Sequence, residues 1–160
     1  MARRFALEFC DSDAAIEKAE GMSIREIFET KGEAAFRDIE SATLGRLTLR
    51  SNCVISTGGG AVLREANREA IASRCHCVYL RAAPEDLFKR LKNDRKRPLL
   101  QTDDPLSILR GLYDVRDPLY RAVATCTVDT GLPSIHALVN TIATKLHLVP
   151  ADTSAEDPPS

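Results

Sequence analysis

Four short apolar segments, each followed by residues with helical periodicity, constrain the fold of this chain more than any other feature. The segments are one that ends at Cys10, then Cys53–Ser56, residues 77–80 and Cys126–Asp129. Strands that alternate with helices pair in parallel through right-handed crossovers, and the helices cover both faces of the sheet. The pattern therefore predicts an α/β fold, a three-layer α/β/α sandwich around a parallel sheet.

Several local signals mark where helices begin and end. Ser23 and Glu26 have the spacing of a capping box, and Gly32 is predicted to end the helix that this box begins. The next helix is expected from about residue 33 to residue 49. Two further helix starts are indicated by Pro84, as a first helical residue, and by Ser134, as the cap of a helix over 135–146.

Length and charge limit the domain number and the kinds of partner. The chain has 160 residues and a net charge of -1, and no segment approaches the length of a membrane span. We expect one domain over 1–148, a disordered tail over 149–160, and a soluble, cytoplasmic monomer. The balanced charge disfavours a nucleic-acid partner, and the lack of an apolar span disfavours a membrane partner.

Two groups of residues follow predicted strands and could form a site. The sequence VISTGGGAV (54–62) places three glycines after the second strand, where a backbone must approach a ligand closely. Asp11 and Asp13 follow the first strand, and in extended backbone both carboxylates would face the same side and could orient a hydroxyl or a hydrated metal ion. An N-cap role before the next helix explains one aspartate equally well.

Arginines provide the remaining candidates. Arg37 lies one helical turn from both Glu33 and Glu40, which alone indicates an exposed ion-pair ladder worth about 0.3 to 0.5 kcal/mol per pair. A basic segment over 89–100 has the character of a solvated loop, or of a lid that neutralises phosphate charge. Arg116 precedes a proline that is expected to disturb a helix, and its planar fork suits a carboxylate.

Five motifs of this chain occur together in the order and spacing of shikimate kinase. They are D-S-D (11–13), G-E-x-x-F-R-x-x-E (32–40), T-G-G-G-A-V (57–62), R-P-L-L (97–100) and R-x-P-L-Y (116–120). Over about residues 3 to 148 the chain resembles that family. The resemblance implies a P-loop nucleotide kinase fold and transfer of the γ-phosphoryl group of ATP to the 3-hydroxyl of shikimate, a step of aromatic amino acid biosynthesis.

The resemblance also implies a role for each matching residue in binding the substrate. Asp13 would bind the ring hydroxyls and orient or deprotonate the attacking one. Arg37 and Arg116 would grip the substrate carboxylate, and Gly59 and Gly60 would present backbone N–H groups.

The resemblance assigns the cofactors, ATP and Mg²⁺, to other positions. Arg97 would close over the phosphates and act as a catalytic residue, and Arg90 would stack on the adenine, with residues 129–133 near the base. Asp11 would stand in the outer coordination shell of the magnesium ion.

The family pattern includes a first central strand and a G-x-x-x-x-G-K-[ST] loop, and neither occurs in this sequence. We therefore expect a fold that lacks its first central strand, and a chain that alone is marginally stable and weakly active or inactive. Two alternatives stay open. One is a non-catalytic remnant that binds shikimate, and the other is a related small-molecule kinase such as a gluconate kinase, against which the pair Arg37 and Arg116 argues.

Overall fold

The computed structural model describes residues 1–91, 104–131 and 133–149. The described residues divide into two compact units, one formed by residues 1–61 together with 143–149, and the other by residues 62–142.

The first unit contains a parallel strand pair and the two helices between its strands. After a short 3-10 helix (Ala2–Phe5) come β1 (Glu8–Asp11), α1 (Ser12–Glu20), α2 (Ile24–Leu47) and β2 (Cys53–Ser56). β1 pairs with β2 in parallel, with Asp11 opposite Ser56, so that both strands end at the same edge. Ile16, Ile27 and Phe36 form the buried cluster that holds α1 against α2.

Helix α2 consists of two helical segments joined at Gly32. The Ser23 side chain accepts the Glu26 N–H while the Glu26 carboxylate accepts the Ser23 N–H, so the predicted capping box is confirmed. Gly32 has φ 83° and ψ 172°, outside the helical region, which confirms the predicted break. The second segment ends at Leu47, two residues before the predicted end.

The second unit contains the other parallel pair. Its elements are α3 (Glu65–Arg74), β3 (Val78–Arg81), α4 (Pro84–Leu91), α5 (Pro105–Val123), β4 (Cys126–Asp129) and the beginning of α6 (Ile135–Lys145). β3 pairs with β4 in parallel, from Val78 opposite Cys126 to Arg81 opposite Asp129. Val62, Ile71 and Val123 form its buried cluster.

Most predicted elements are confirmed with small shifts. β2 and β4 have the predicted bounds, β3 begins one residue later than predicted, and Pro84 is the first residue of α4. Ser134 accepts a hydrogen bond from the Ala137 N–H at 3.1 Å and caps α6, which ends at Lys145, one residue early. Pro118 lies inside α5 without ending it, since the helix continues to Val123.

Two regions for which the sequence predicts a role lie outside the described residues. These are most of the basic segment, including Arg97, and residues 150–160 of the tail. Among the helices of the described ranges, none combines the length and apolar character needed to cross a membrane.

Candidate active site

The carboxyl end of β1 supplies two aspartates with different surroundings. Asp11 Oδ1 accepts hydrogen bonds from the N–H groups of Asp13 and Ala14, each at 3.0 Å, and therefore caps α1. Asp13 lies in the first turn of that helix rather than in extended backbone. The N-cap interpretation is thus confirmed for Asp11. The strand alternation expected to bring the two carboxylates together does not apply, because the helix begins at Ser12.

Arg37 forms a buried ion pair instead of the exposed ladder suggested by its spacing. Arg37 Nη1 donates to Glu40 Oε2 at 2.8 Å, and the Glu40 side chain is only 2% exposed. Arg37 Nη2 reaches Glu33 Oε1 at 3.4 Å, on a carboxylate that is largely exposed. The Arg37 Nε is buried and has no hydrogen-bond partner within the described ranges. Because the Nε of Arg37 is buried without an acceptor, the Arg37 guanidinium can bind a second carboxylate in addition to that of Glu40.

The glycine run after β2 lies against both of these side chains. A Cβ built on Gly58 would be 3.3 Å from Asp13 Oδ1, and a Cβ built on Gly60 would be 2.6 Å from Arg37 Nη2 and 2.7 Å from Arg37 Cζ. These approaches, rather than left-handed backbone, explain the glycines at 58 and 60. Gly59 joins the two, and the run brings a carboxylate, a guanidinium and main chain together.

Burial and neighbouring carboxylates change the acidity of Asp13. Loss of solvent raises the pKa of Asp13 above its ordinary value, and repulsion from Asp11, Glu40 and Glu17 raises it further, while Arg37 partly offsets the shift. A carboxylate with a raised pKa accepts a proton from a hydroxyl more readily, which suits a general base that activates an acceptor hydroxyl.

Arg116, the other predicted carboxylate ligand, lies in the middle of α5. Its side chain is half-buried, and no ion pair or hydrogen bond involves it among residues 1–91, 104–131 and 133–149. The next residue, Asp117, is by contrast fully engaged with other side chains. Within the part of the chain that the structure describes, the Arg116 guanidinium is therefore unpaired.

Arg90 lies at a cleft that the sequence only partly indicated. Arg90 Nη1 and Nη2 donate to the Thr130 hydroxyl and to the Thr130 carbonyl, both at 3.0 Å. The cleft has a volume of about 460 Å³ and is lined by Arg90, Thr130, Ser134, Ile135 and Leu138. Apolar side chains beside a guanidinium plane are the surroundings that suit a flat aromatic ring. The sequence indicated the range 129–133 but gave no signal for the two apolar residues of α6.

The described residues can contribute only part of a magnesium site. They contain no group of three or more histidine, cysteine, aspartate or glutamate side chains able to hold a metal ion. Asp11 uses Oδ1 for the helix cap, so its second carboxylate oxygen is the atom available to a hydrated cation. This donor set fits an outer-shell contact.

Comparison with solved structures identifies the class of protein. The chain is similar to a shikimate kinase from Acinetobacter baumannii in complex with shikimate, at 40% identity and a TM-score of 0.84, over 91% of this chain and 82% of that one. A shikimate kinase from Bacteroides thetaiotaomicron matches at 30% identity and a TM-score of 0.83, over 92% and 88%. The fold and the site therefore define an ATP-dependent small-molecule kinase with the P-loop kinase-like α/β fold, as predicted.

Sequence comparison then identifies the family. A sequence model of shikimate kinase matches residues 1–147. The shikimate kinase of Cupriavidus pinatubonensis is 51% identical over 92% of this chain and 77% of the relative, and that of Thiobacillus denitrificans is 46% identical over 99% and 86%. The chain belongs to the shikimate kinase family. Enzymes of this family transfer the γ-phosphoryl group of ATP to shikimate and use ATP and Mg²⁺.

Proposed function

We propose that Asp13, Arg37 and the glycine run form the acceptor site of a shikimate kinase in this chain. The observation that carries the proposal is the approach of Gly58 to Asp13 and of Gly60 to Arg37, because it gathers the three kinds of group that a hydroxylated acid needs. Asp13 would bind and deprotonate the attacking hydroxyl. Arg37 would bind the carboxylate, and the N–H groups of Gly59 and Gly60 would face the substrate.

Arg116 would supply the second guanidinium for the substrate carboxylate. The chemistry of its surroundings supports this role, because Arg116 is a half-buried arginine in the middle of α5 and has no partner in the described ranges. An arginine without an internal partner is available for bidentate binding of a carboxylate.

The nucleotide would use residues of the second unit. The cleft beside Arg90 and Thr130 would hold the adenine, with the Arg90 guanidinium against the ring face. Arg97, which lies outside the described residues, is proposed to contact the phosphates, and Asp11 to contact the hydration shell of Mg²⁺. When bound, the ion would neutralise charge on the transferred phosphoryl group. The described side chains would position the acceptor and hold its proton at the Asp13 carboxylate.

We further propose that residues 1–148 form one kinase domain with a tail over 149–160, and that the protein is a cytoplasmic monomer without nucleic-acid or membrane partners. The match of a single family model to residues 1–147 supports the domain proposal. The net charge of -1 supports the absence of a nucleic-acid partner.

Arg37→Ala tests the acceptor site through binding of shikimate. We expect the Kd for shikimate, measured by calorimetry, to rise about 10- to 150-fold, because the substrate carboxylate then loses a charge-assisted hydrogen bond worth about 1.5 to 3 kcal/mol. The same change leaves Glu40 buried without its partner, which lowers the stability of the fold. Arg25→Ala is the matched control, since Arg25 lies in the same helix and is 84% exposed beside Glu29.

Two outcomes would contradict the proposal. One is an unchanged Kd for shikimate in Arg37→Ala, and the other is an equal increase in Arg25→Ala. Gluconate, an open-chain acid, serves as the competing ligand, and binding of gluconate in preference to shikimate would favour the gluconate kinase alternative. A coupled assay of phosphoryl transfer, run beside the calorimetry, separates an active kinase from a protein that only binds shikimate.

A further inference from the structure

Asp117, the residue after Arg116, is the centre of a network that joins α5 to β3. The Tyr79 hydroxyl donates to Asp117 Oδ1 at 3.0 Å, and Arg121 Nε donates to Asp117 Oδ2 at 2.6 Å. Tyr113 lies one helical turn before Asp117 on α5. We call Tyr79, Asp117 and Arg121 the Asp117 network. Both carboxylate oxygens of Asp117 accept hydrogen bonds in this network, and the one from Tyr79 connects α5 to β3.

The network is partly shielded from water and ionised. The Asp117 side chain is 14% exposed. Burial alone would raise its pKa, but hydrogen bonds from Arg121 and Tyr79 hold the pKa of Asp117 below its ordinary value. Burial, followed by donation to Asp117, raises the pKa of Tyr79, which therefore keeps its proton as a donor. Arg121 is 48% exposed, whereas the Tyr79 ring is buried. The hydrogen bond from the Tyr79 hydroxyl to the charged Asp117 is therefore the better shielded of the two, and a charged acceptor makes it stronger than a bond between neutral groups.

The backbone of α5 is weakened where Arg116 lies. Pro118 has no N–H, so the carbonyl of Asp114 loses the i to i−4 hydrogen bond that a regular helix would make. Arg116 lies within the turn between these two residues. The orientation of this turn therefore depends more than usual on side-chain contacts.

The Asp117 network is placed to fix the rotation of α5 about its axis. Tyr113, Asp117 and Arg121 are spaced four residues apart and share one stripe of the helix, which Tyr79 of β3 contacts. An extended arginine carries its guanidinium about 9 Å from the helix axis, so a rotation of about 10° displaces it by about 1.5 Å. Displacements of about 1 Å in a binding group can change rates about 100-fold.

We propose that Tyr79 and Asp117 are positioning residues for substrate binding, which act by holding the turn of α5 that carries Arg116. The inference rests on the proposed role of Arg116. The packing of α5 does not depend on this network alone, since Val123 is buried with Val62 and Ile71. The Tyr79 ring also packs on Tyr120, with centroids 4.8 Å apart, so a phenylalanine at 79 keeps the ring contact and loses only the hydroxyl.

The test is a double-mutant cycle between Tyr79→Phe and Arg116→Ala, with shikimate binding followed by NMR titration up to millimolar ligand. We expect Tyr79→Phe to raise the Kd for shikimate about 3- to 10-fold in the parent chain, and by less than about 2-fold when Arg116 is already alanine. Asp117→Asn should weaken binding further than Tyr79→Phe does. If Asp117→Asn fails to fold, the double-mutant cycle with Tyr79→Phe still tests whether the effect of Tyr79 depends on Arg116.

Glu85→Gln is the matched control, because Glu85 accepts from Arg110 Nε and Nη2 and so ties the same helix to α4 away from Arg116. It should leave the Kd for shikimate unchanged. The inference is overturned if Tyr79→Phe has no effect, if its effect is equal in both backgrounds, or if Glu85→Gln weakens binding as much. An unchanged Kd in Arg116→Ala alone would instead refute the proposed role of Arg116, and with it the basis of this inference.

Discussion

At the scale of single residues, the site depends on side chains that are close to backbone. The guanidinium of Arg37 lies against Gly60, where any side chain would collide with it, and the carboxylate of Asp13 lies against Gly58. Arg37 is held in this place by Glu40, whose carboxylate is almost fully buried. A buried ion pair of this kind contributes little net stability, but removing either partner is costly. The pair is therefore better understood as orienting Arg37 than as stabilising the fold.

Gly60→Ala should weaken shikimate binding by displacing Arg37. The new Cβ would meet the end of a side chain that has little freedom to move, because Glu40 holds Nη1 at 2.8 Å. We expect the Kd for shikimate in calorimetry to rise at least ~10-fold, the loss of about one charge-assisted hydrogen bond. Gly45→Ala is the control: a Cβ there would have no neighbour within 4 Å, and alanine in a helix interior is favoured by about 0.5 to 1 kcal/mol. Similar affinities in the two variants would show that the approach of Gly60 to Arg37 has no functional consequence.

At the scale of elements, the direction of the site helix is set at Gly32. The segment before it is anchored by the capping box at Ser23, and the segment after it carries Arg37 and Glu40. The backbone angles of Gly32 lie in a region that is essentially restricted to glycine. The angle between the two segments, and with it the position of Arg37, depends on this residue.

Gly32→Ala should destabilise the chain by about 1 to 3 kcal/mol, the usual cost of holding a residue with a side chain in this conformation. The space around the position is open, with nothing within 4 Å of the place that a Cβ would take, so the cost would come from the backbone and not from collision. Urea unfolding followed by circular dichroism measures the change. The mechanism would be wrong if Gly32→Ala were as stable as the parent chain, since alanine would then be tolerated at φ 83°.

Elements defined by local signals could be predicted from the sequence, whereas the surroundings of the site residues could not. Four residues begin or end a helix through contacts within one turn of the chain, and each does so at the predicted position: Ser23, Gly32, Pro84 and Ser134. A proline inside a helix is expected to disturb it, but α5 continues through Pro118 to Val123, which is buried in the core of the second unit. Local signals therefore predict helix ends better than helix interiors.

The burial of Glu40 and the approach of Gly60 to Arg37 depend on residues about twenty or more positions apart. Spacing alone showed that Arg37 could reach Glu40, but it gave an exposed ladder as the simplest interpretation. The Asp117 network could not be predicted for the same reason, because Tyr79 and Asp117 are far apart in sequence and meet only in the folded chain. The residue types and their order thus identified the family, while the geometry that makes them a site required the fold.

At the scale of the whole molecule, the site costs stability. Partial burial raises the pKa of Asp13, and repulsion from three neighbouring carboxylates raises it further, although Asp13 lies in the first turn of α1, where a helix N-terminus favours an acidic residue. The folded chain therefore disfavours the charged form of Asp13. Active-site residues commonly lower the stability of a protein, and other residues at the same positions would often make it more stable. The free energy of unfolding of the chain should therefore depend on pH, because the charge on Asp13 does.

Asp13→Asn is expected to stabilise the folded chain at neutral pH while abolishing its activation of the substrate hydroxyl. Because the folded pKa of Asp13 is raised above its ordinary value of 3.8, the folded state binds the proton more tightly than the unfolded state does. The contribution of Asp13 to stability is therefore greatest below pH 3.8 and falls as the pH rises through the folded pKa. Urea unfolding of both chains at about pH 3 and pH 7 isolates this contribution as the difference between them.

Near pH 3 the protonated aspartate resembles asparagine, so the two chains should have nearly equal free energies of unfolding. At pH 7 the asparagine variant should be the more stable, since it carries no partly buried charge beside Asp11 and Glu40. A variant less stable than the parent at pH 7 would mean that the attraction of Asp13 to Arg37 dominates. In that case the site would be held together by its own charges, and its acidity would be set by the guanidinium instead of by burial.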